Sequence, residues 1–212
     1  MSASFSELVH SLRGAQWRND PYFWAVVDEF VSPGFAERLA ATIPAAGFSA
    51  SERPSGDPGH RKPYRLESKA LNAEDDDKYT PAWRDFLRAL RSSEYRTAMS
   101  EVIGIDLSGL NLELSLWHYP PGGWLGPHTD KPDKVVTQVF NLNPGWEREW
   151  GGCLRILGSD QEKDVVAEIP PVLNSSVILR RSDNSWHMVT RTQESEGAPR
   201  LRQVLTAMFR AL

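Results

Sequence analysis

Gly126-Pro127-His128-Thr129-Asp130 and Ser185-Trp186-His187-Met188-Val189 are the two stretches that decide how this chain reads. In an extended segment, residues two apart project to the same side, so His128 and Asp130 can grip one ion while Thr129 faces away. His187 lies too far along the chain for a single hairpin and suits several strands that return to one point. Two histidines and one carboxylate occupy one face of an octahedral iron and leave the opposite positions open. One metal would thus tie two strands together.

The surrounding pattern supplies a fold for that site. After Gly104, short alternating segments follow one another: Leu112 to Tyr119, Lys134 to Leu142, Cys153 to Leu157, Val165 to Ile169, Ser176 to Arg180 and Leu201 to Phe209. Gly, Pro and Asn separate them. Such a series favours a mainly β architecture with supporting helices, a double-stranded β-helix or jelly-roll barrel of the cupin-like kind. Helical spacing appears in Phe5 to Leu12, in Phe35 to Ile43 after the Ser32-Pro33-Gly34 turn, in Pro81 to Leu90 and in Tyr95 to Ile103, with Trp83, Phe86 and Leu87 as a buried face. Ser49 to His60, rich in Ser, Gly, Pro and charge, reads as a surface loop that could serve as a lid. Residues 1–212 are expected to form one domain, with 1–110 mostly helical brace and lid and 111–212 the motif-bearing barrel.

Composition narrows the function classes. The 212 residues are 40% hydrophobic, with a formal charge of −4, so there is no basic footprint for nucleic acid. Cys153 is the single cysteine and cannot form an internal disulfide. The N-terminus has no apolar signal core, and no apolar run approaches a membrane-spanning length. The expectation is a cytoplasmic protein without nucleic-acid or membrane partners; oligomeric state is not legible.

Several blocks recur in a telling order: Trp117-His118-Tyr119-Pro120-Pro121-Gly122-Gly123-Trp124 before the first motif, Val136-Thr137-Gln138-Val139-Phe140-Asn141-Leu142-Asn143 and Trp146 after it, then Gly151-Gly152-Cys153-Leu154-Arg155-Ile156, Ile169-Pro170-Pro171-Val172-Leu173-Asn174, and Arg202-Gln203-Val204-Leu205-Thr206-Ala207-Met208-Phe209 following His187. From about Leu112 to Phe209 this series resembles the 2-oxoglutarate- and Fe(II)-dependent oxygenases of the prolyl 4-hydroxylase type. Phe23 to Ser32 resembles the family's opening strand before a helix.

The resemblance implies Fe(II) held by His128, Asp130 and His187, with 2-oxoglutarate and O2 as co-substrates and ascorbate as a candidate reductant. It implies hydroxylation of an unactivated C–H with succinate and CO2 as co-products. Halogenating relatives replace the iron-binding carboxylate with a small residue, so Asp130 favours hydroxylation over chlorination. The distal carboxylate of 2-oxoglutarate wants a guanidinium partner. Arg202 and Arg200, two apart, compete for it; Arg202 is preferred because Arg-x-x-Leu-Thr-x-x-Phe resembles the family's closing strand, and Arg191 is a third candidate. Tyr119 stands where the family often has a tyrosine near the co-substrate.

The remaining chemistry-bearing residues have plainer readings. His118 reads as packed within a strand and not as a fourth ligand; His10 and His60 read as surface residues. Trp117, Trp124, Trp146, Trp150 and Trp186 read as core or barrel rim, with an aromatic substrate cage as the alternative. Arg180-Arg181 and Arg61-Lys62-Pro63-Tyr64-Arg65 read as solvated edges, with recognition of a substrate anion as the alternative. Fold does not transfer substrate. A free or carrier-bound amino acid or another small biosynthetic intermediate is preferred as substrate. A peptidyl-prolyl or oxygen-sensing protein hydroxylase is the alternative, and a non-catalytic metal-binding barrel the last.

Overall fold

The computed structural model describes residues 5–54, 63–194 and 200–211. Helix α1 (Phe5–Arg13) leads into strands β1 (Gln16–Arg18) and β2 (Trp24–Val27), then α2 (Pro33–Ala41) and the hairpin strands β3 (Ser49–Arg53) and β4 (Tyr64–Ala70). A 3-10 turn over Ala73–Lys78 precedes α3 (Pro81–Leu90) and α4 (Ser93–Ile103). The rest is strand: β5 (Asn111–Tyr119), β6 (Trp124–His128), β7 (Lys134–Asn141), β8 (Leu154–Leu157), β9 (Val165–Ile169), β10 (Ser176–Arg180), β11 (His187–Val189) and β12 (Arg202–Arg210). Hydrogen bonding runs β1-β2-β10-β7-β12-β5-β4-β6-β11-β8-β9, with β3 on β4. Every named strand pair is antiparallel, and the sheet curls into the expected jelly-roll half-barrel.

Period-two alternation sorts the side chains of this sheet into two cores. On β12, Leu205, Ala207 and Phe209 face the helices, whereas Arg202, Val204, Thr206 and Met208 face the barrel interior. β7 repeats the division, with Val136 and Phe140 toward the helices and Thr137 and Val139 inward. The helical layer fits because α3 carries Trp83, Phe86, Leu87 and Leu90 on one face, all fully buried. Phe86 meets both Phe30 and Phe140 at ring distances of 5.7 and 5.4 Å. The four helices thus brace one face of the sheet and leave the other to enclose a cavity.

Two features depart from the sequence reading. Residues 1–110 read as mostly helical, yet four strands lie among the helices. Ser49–Arg53 is not loop but strand β3, and 55–60, the remainder of the expected lid, lie outside the described residues, as do His60, Arg61 and Lys62. Polar sequences such as SASER and YRLESKA carry little apolar alternation, and pairing with neighbours sets their conformation. β4 joins the two halves of the sheet: Glu67 to Ala70 pair with β5, and Tyr64 and Arg65 pair with β6.

Asn174 shows how the helical layer is fastened. Its backbone is left-handed at φ 68°, a conformation that Asn tolerates better than most residues. Its side chain accepts from the Val31 N–H at 3.2 Å and donates to the Val31 carbonyl at 2.8 Å, both buried. Asn174→Ala should therefore cost about 2–4 kcal/mol in urea unfolding through two lost buried hydrogen bonds and a strained backbone. Asn174→Gly, which relieves the backbone alone, should fall between the variant and the parent.

Candidate metal centre and cavity

The register of β11 on β6 sets His187 directly opposite His128. Their rings stand 4.2 Å apart, and Asp130 follows two residues beyond the end of β6. Ligand atoms from His128, Asp130 and His187 all lie within 4.8 Å of one another, so the three could hold one metal ion. All three are buried.

The backbone fixes each imidazole. His128 Nδ1 lies 2.9 Å from the Gly126 carbonyl, and His187 Nδ1 lies 2.9 Å from the Ser185 carbonyl. A carbonyl oxygen can only accept, so both Nδ1 atoms carry the proton and both Nε2 atoms carry the lone pair a metal needs. The two contacts have the same form, a carbonyl two residues upstream. Asp130 is held by Lys134, which donates from Nζ to Oδ1 at 2.7 Å, and by the Thr137 hydroxyl, which donates to Oδ2 at 3.2 Å. Burial alone would raise the Asp130 carboxyl, but the His187 and His128 rings when protonated, and the Lys134 ammonium, hold it well below the usual carboxylate range. Two imidazoles that present Nε2 and a carboxylate are the donor set of a divalent transition metal.

These residues line a cavity of about 380 Å³ whose walls are largely apolar, with Leu66, Leu125, Val139, Leu154, Leu179 and Val204 among them. Arg202 enters it from the start of β12, paired in register with Tyr119 of β5. Its guanidinium carbon sits 4.7 Å from the Tyr119 ring centre. The side chain is 1% exposed, and Nε and Nη1 have no hydrogen-bond partner among the described residues. Burial pulls its pKa down and pushes that of Tyr119 up. A buried guanidinium with two unanswered N–H groups is a costly arrangement that a bound carboxylate would relieve. Gly152 makes it possible: at φ +66° it passes so near that a Cβ there would lie 2.9 Å from Arg202 Cδ.

The other candidates fall elsewhere. Arg200 precedes β12 and lies over the Trp150 ring at 4.5 Å, outside the cavity lining. Arg191 covers Trp124 at 4.0 Å and donates to the Gly122 carbonyl at 2.7 Å. Arg180 packs against Phe23 and Arg181 pairs with Asp183 at 2.7 Å. Of the five tryptophans, Trp117 alone lines the cavity, its indole N–H donating to Thr206 at 2.8 Å; Trp146 and Trp150 pack edge to face. His118 stacks on Phe48 at 3.7 Å and meets Gln203 at 3.1 Å, away from the metal-binding triad.

Sequence reasoning missed Lys134 and Thr137, although both follow Asp130 at short spacing and alternation places Thr137 inward. It read Ser51 and Arg53 only as part of a lid loop, Tyr64 only as part of a solvated edge or anion site, and Leu66 and Ser68 not at all, whereas all five line the cavity from strands without an apolar pattern.

Residues 114–210, the span from within β5 to the end of β12, match the family described as the 2OG-Fe(II) oxygenase superfamily. No curated protein matches the chain. Among solved structures, a Pseudomonas putida prolyl-4-hydroxylase is similar at 22% identity and a TM-score of 0.63, over 98% of this chain and 99% of its own. A prolyl 4-hydroxylase from Phytophthora capsici is similar at 17% identity and 0.65, over 100% of this chain and 66% of that one. A prolyl hydroxylase from Trichoplax adhaerens, solved with a hypoxia inducible factor oxygen degradation domain peptide fragment, is similar at 15% and 0.62, over 97% and 88%. At these identities the likeness to the solved structures is one of fold. No helix of the described residues is long and apolar enough to cross a membrane.

The packed state of His118 has a consequence for pH. Burial lowers its pKa from 6.5 to about 4. Below pH 6.5 the unfolded chain binds a proton there that the folded chain refuses, so this part of the stability is present above 6.5 and lost as pH falls toward 4. Unfolding free energy should drop by about 2–3 kcal/mol across that window, and by less in His118→Gln, measured by denaturation at a series of pH values.

Proposed function

We propose that this chain, whose residues 114–210 match the 2OG-Fe(II) oxygenase superfamily, is an oxidoreductase using Fe(II), 2-oxoglutarate and O2 that hydroxylates an unactivated C–H in a small-molecule or carrier-bound substrate. Residues 1–212 act in this reading as one oxygenase domain. His128, Asp130 and His187 hold the iron through two Nε2 atoms and a carboxylate oxygen. Arg202, with Tyr119 beside it, receives the distal carboxylate of 2-oxoglutarate. The observation that carries the reading is the fully buried Arg202 guanidinium, with Nε and Nη1 unanswered among the described residues, in the same cavity as the triad.

Iron and 2-oxoglutarate, when bound, supply the oxidising chemistry, with succinate and CO2 as co-products. The chain's own residues do the positioning. The Gly126 and Ser185 carbonyls hold the two imidazoles in the ligating tautomer. Lys134 and Thr137 keep the Asp130 carboxylate ionised and fixed in direction. Apolar walls at Leu66, Leu125, Val139 and Val204 keep water from the reacting carbon. A free, buried thiol at Cys153 suits a reducing cytoplasm.

A peptidyl-prolyl substrate is the second reading, supported by the fold shared with the Trichoplax adhaerens prolyl hydroxylase that was solved with a peptide. The cavity volume favours a small molecule or a single side chain over a folded protein segment.

The test is succinate formation by anaerobically loaded protein on admission of oxygen, across amino acids, carrier-bound aminoacyl groups and proline peptides. Succinate in step with a product heavier by one oxygen atom is expected from a small-molecule member; a response to peptides alone would replace the first reading with the second. His128→Ala and His187→Ala should each lose bound iron and turnover, and full iron content in both would overturn the triad. Arg202→Met should raise the 2-oxoglutarate requirement about 100-fold while leaving the ligand-free protein as stable as the parent or more so, because an unpaired buried charge is gone. Arg200→Ala should leave that requirement unchanged, and the reverse ranking would move the anchor to Arg200.

A further inference from the structure

Asp130 has two oxygens to offer a metal, and both already accept a hydrogen bond. Lys134 donates from Nζ to Oδ1 at 2.7 Å, and the Thr137 hydroxyl donates to Oδ2 at 3.2 Å. The two donors are unequal. A hydrogen bond between ionised partners is stronger than one from a neutral hydroxyl, and here it is also the shorter. The Lys134–Asp130 pair is shielded from water, with side chains 17% and 8% exposed.

The turn that carries Lys134 is fastened from outside the site. The Lys134 N–H donates to the Lys131 carbonyl at 3.0 Å and closes residues 131–134. Beside it, the Asp133 carboxylate accepts from Arg210 Nε at 2.9 Å and the Asp133 carbonyl from the Ala211 N–H at 2.8 Å, so the end of β12 grips the turn. Arg210 stands opposite Lys134 in the β7–β12 register and also donates to Glu113 at 2.8 Å. Thr137 lies within the sheet, between Met208 of β12 and Leu179 of β10. Both donors are thus held toward the carboxylate by the backbone around them.

On the functional reading above, on which this inference rests, the number of oxygens that Asp130 gives to the metal decides whether O2 can enter. Of the positions that two imidazoles leave on an octahedral metal, a 2-oxo acid takes two, through its carboxylate and keto oxygens. Two then remain for Asp130 and O2. A carboxylate can bind through one oxygen or through both. With one, a position stays open; with both, the metal is closed. We infer that Lys134 is a positioning residue that limits Asp130 to a single metal bond: Oδ1 stays on the Lys134 ammonium, and Oδ2, the more weakly held oxygen, goes to the metal. Hydrogen bonds to the free oxygen of a ligating carboxylate set its direction in this way.

The experiment uses the full chain with Mn(II) in place of iron and saturating 2-oxoglutarate, under argon. Waters on Mn(II) are counted from the broadening of its electron paramagnetic resonance lines in 17O-enriched water, a readout independent of turnover. The parent complex should retain one water. Lys134→Met should retain none, because Oδ1 is released to the metal, and Lys134→Arg, which keeps a cation on that oxygen, should restore it. Thr137→Val should match the parent, since the bond it loses is on the oxygen already given to the metal. An unchanged count in Lys134→Met, or failure of that variant to hold saturating Mn(II), would overturn the inference. So would the absence of water in the parent, Lys134→Arg or Thr137→Val complex. Absence of metal-dependent 2-oxoglutarate binding in the parent protein would instead overturn the functional reading itself.

Discussion

The pairing of β11 with β6 is the constraint on which the site depends. It places His187 opposite His128, and each ring is then oriented by a carbonyl two residues upstream. A slip of one residue in either strand would turn an imidazole out of the cavity and carry its neighbours with it. Register here is enforced from both sides: β11 is held by β8 through Ile156, Arg155 and Leu154, and β6 is held by β4 through Tyr64 and Arg65. The metal centre is therefore assembled by the sheet.

The half of the chain with strong alternation was legible. β5, β7, β9, β10 and β12 appear within a residue or two of where the pattern puts them, because each presents one apolar face to a core. The triad was legible for a related reason, since His128, Asp130 and His187 sit in recognisable short contexts that local geometry preserves. What stayed hidden was set by long-range pairing. β4 reads YRLESKA, with a single fully apolar branched residue, and becomes a strand because β5 and β6 offer it unpaired edges. The separate placements of Arg202 and Arg200 likewise depend on where β12 starts: Arg202, its first residue, lines the cavity, and Arg200 just before it lies on Trp150.

Arg202 illustrates a cost to stability inside the cavity. A neutral residue of similar volume would pack there without an unanswered charge. The fold tolerates the guanidinium because Gly152 clears space for its stem and Tyr119 covers its face. Most of the remaining interior is ordinary apolar packing, and on the helical side Tyr95 donates to Gln138 at 2.8 Å and Gln138 in turn to Ser176 at 2.8 Å.

The β3–β4 hairpin supplies Ser51, Arg53, Tyr64, Leu66 and Ser68 to the cavity and contributes none of the metal-binding triad. This part of the cavity wall and the triad are consequently encoded in separate stretches of chain, so a lineage, or a protein engineer, could exchange the hairpin and reshape the cavity while leaving His128, Asp130 and His187 where they are.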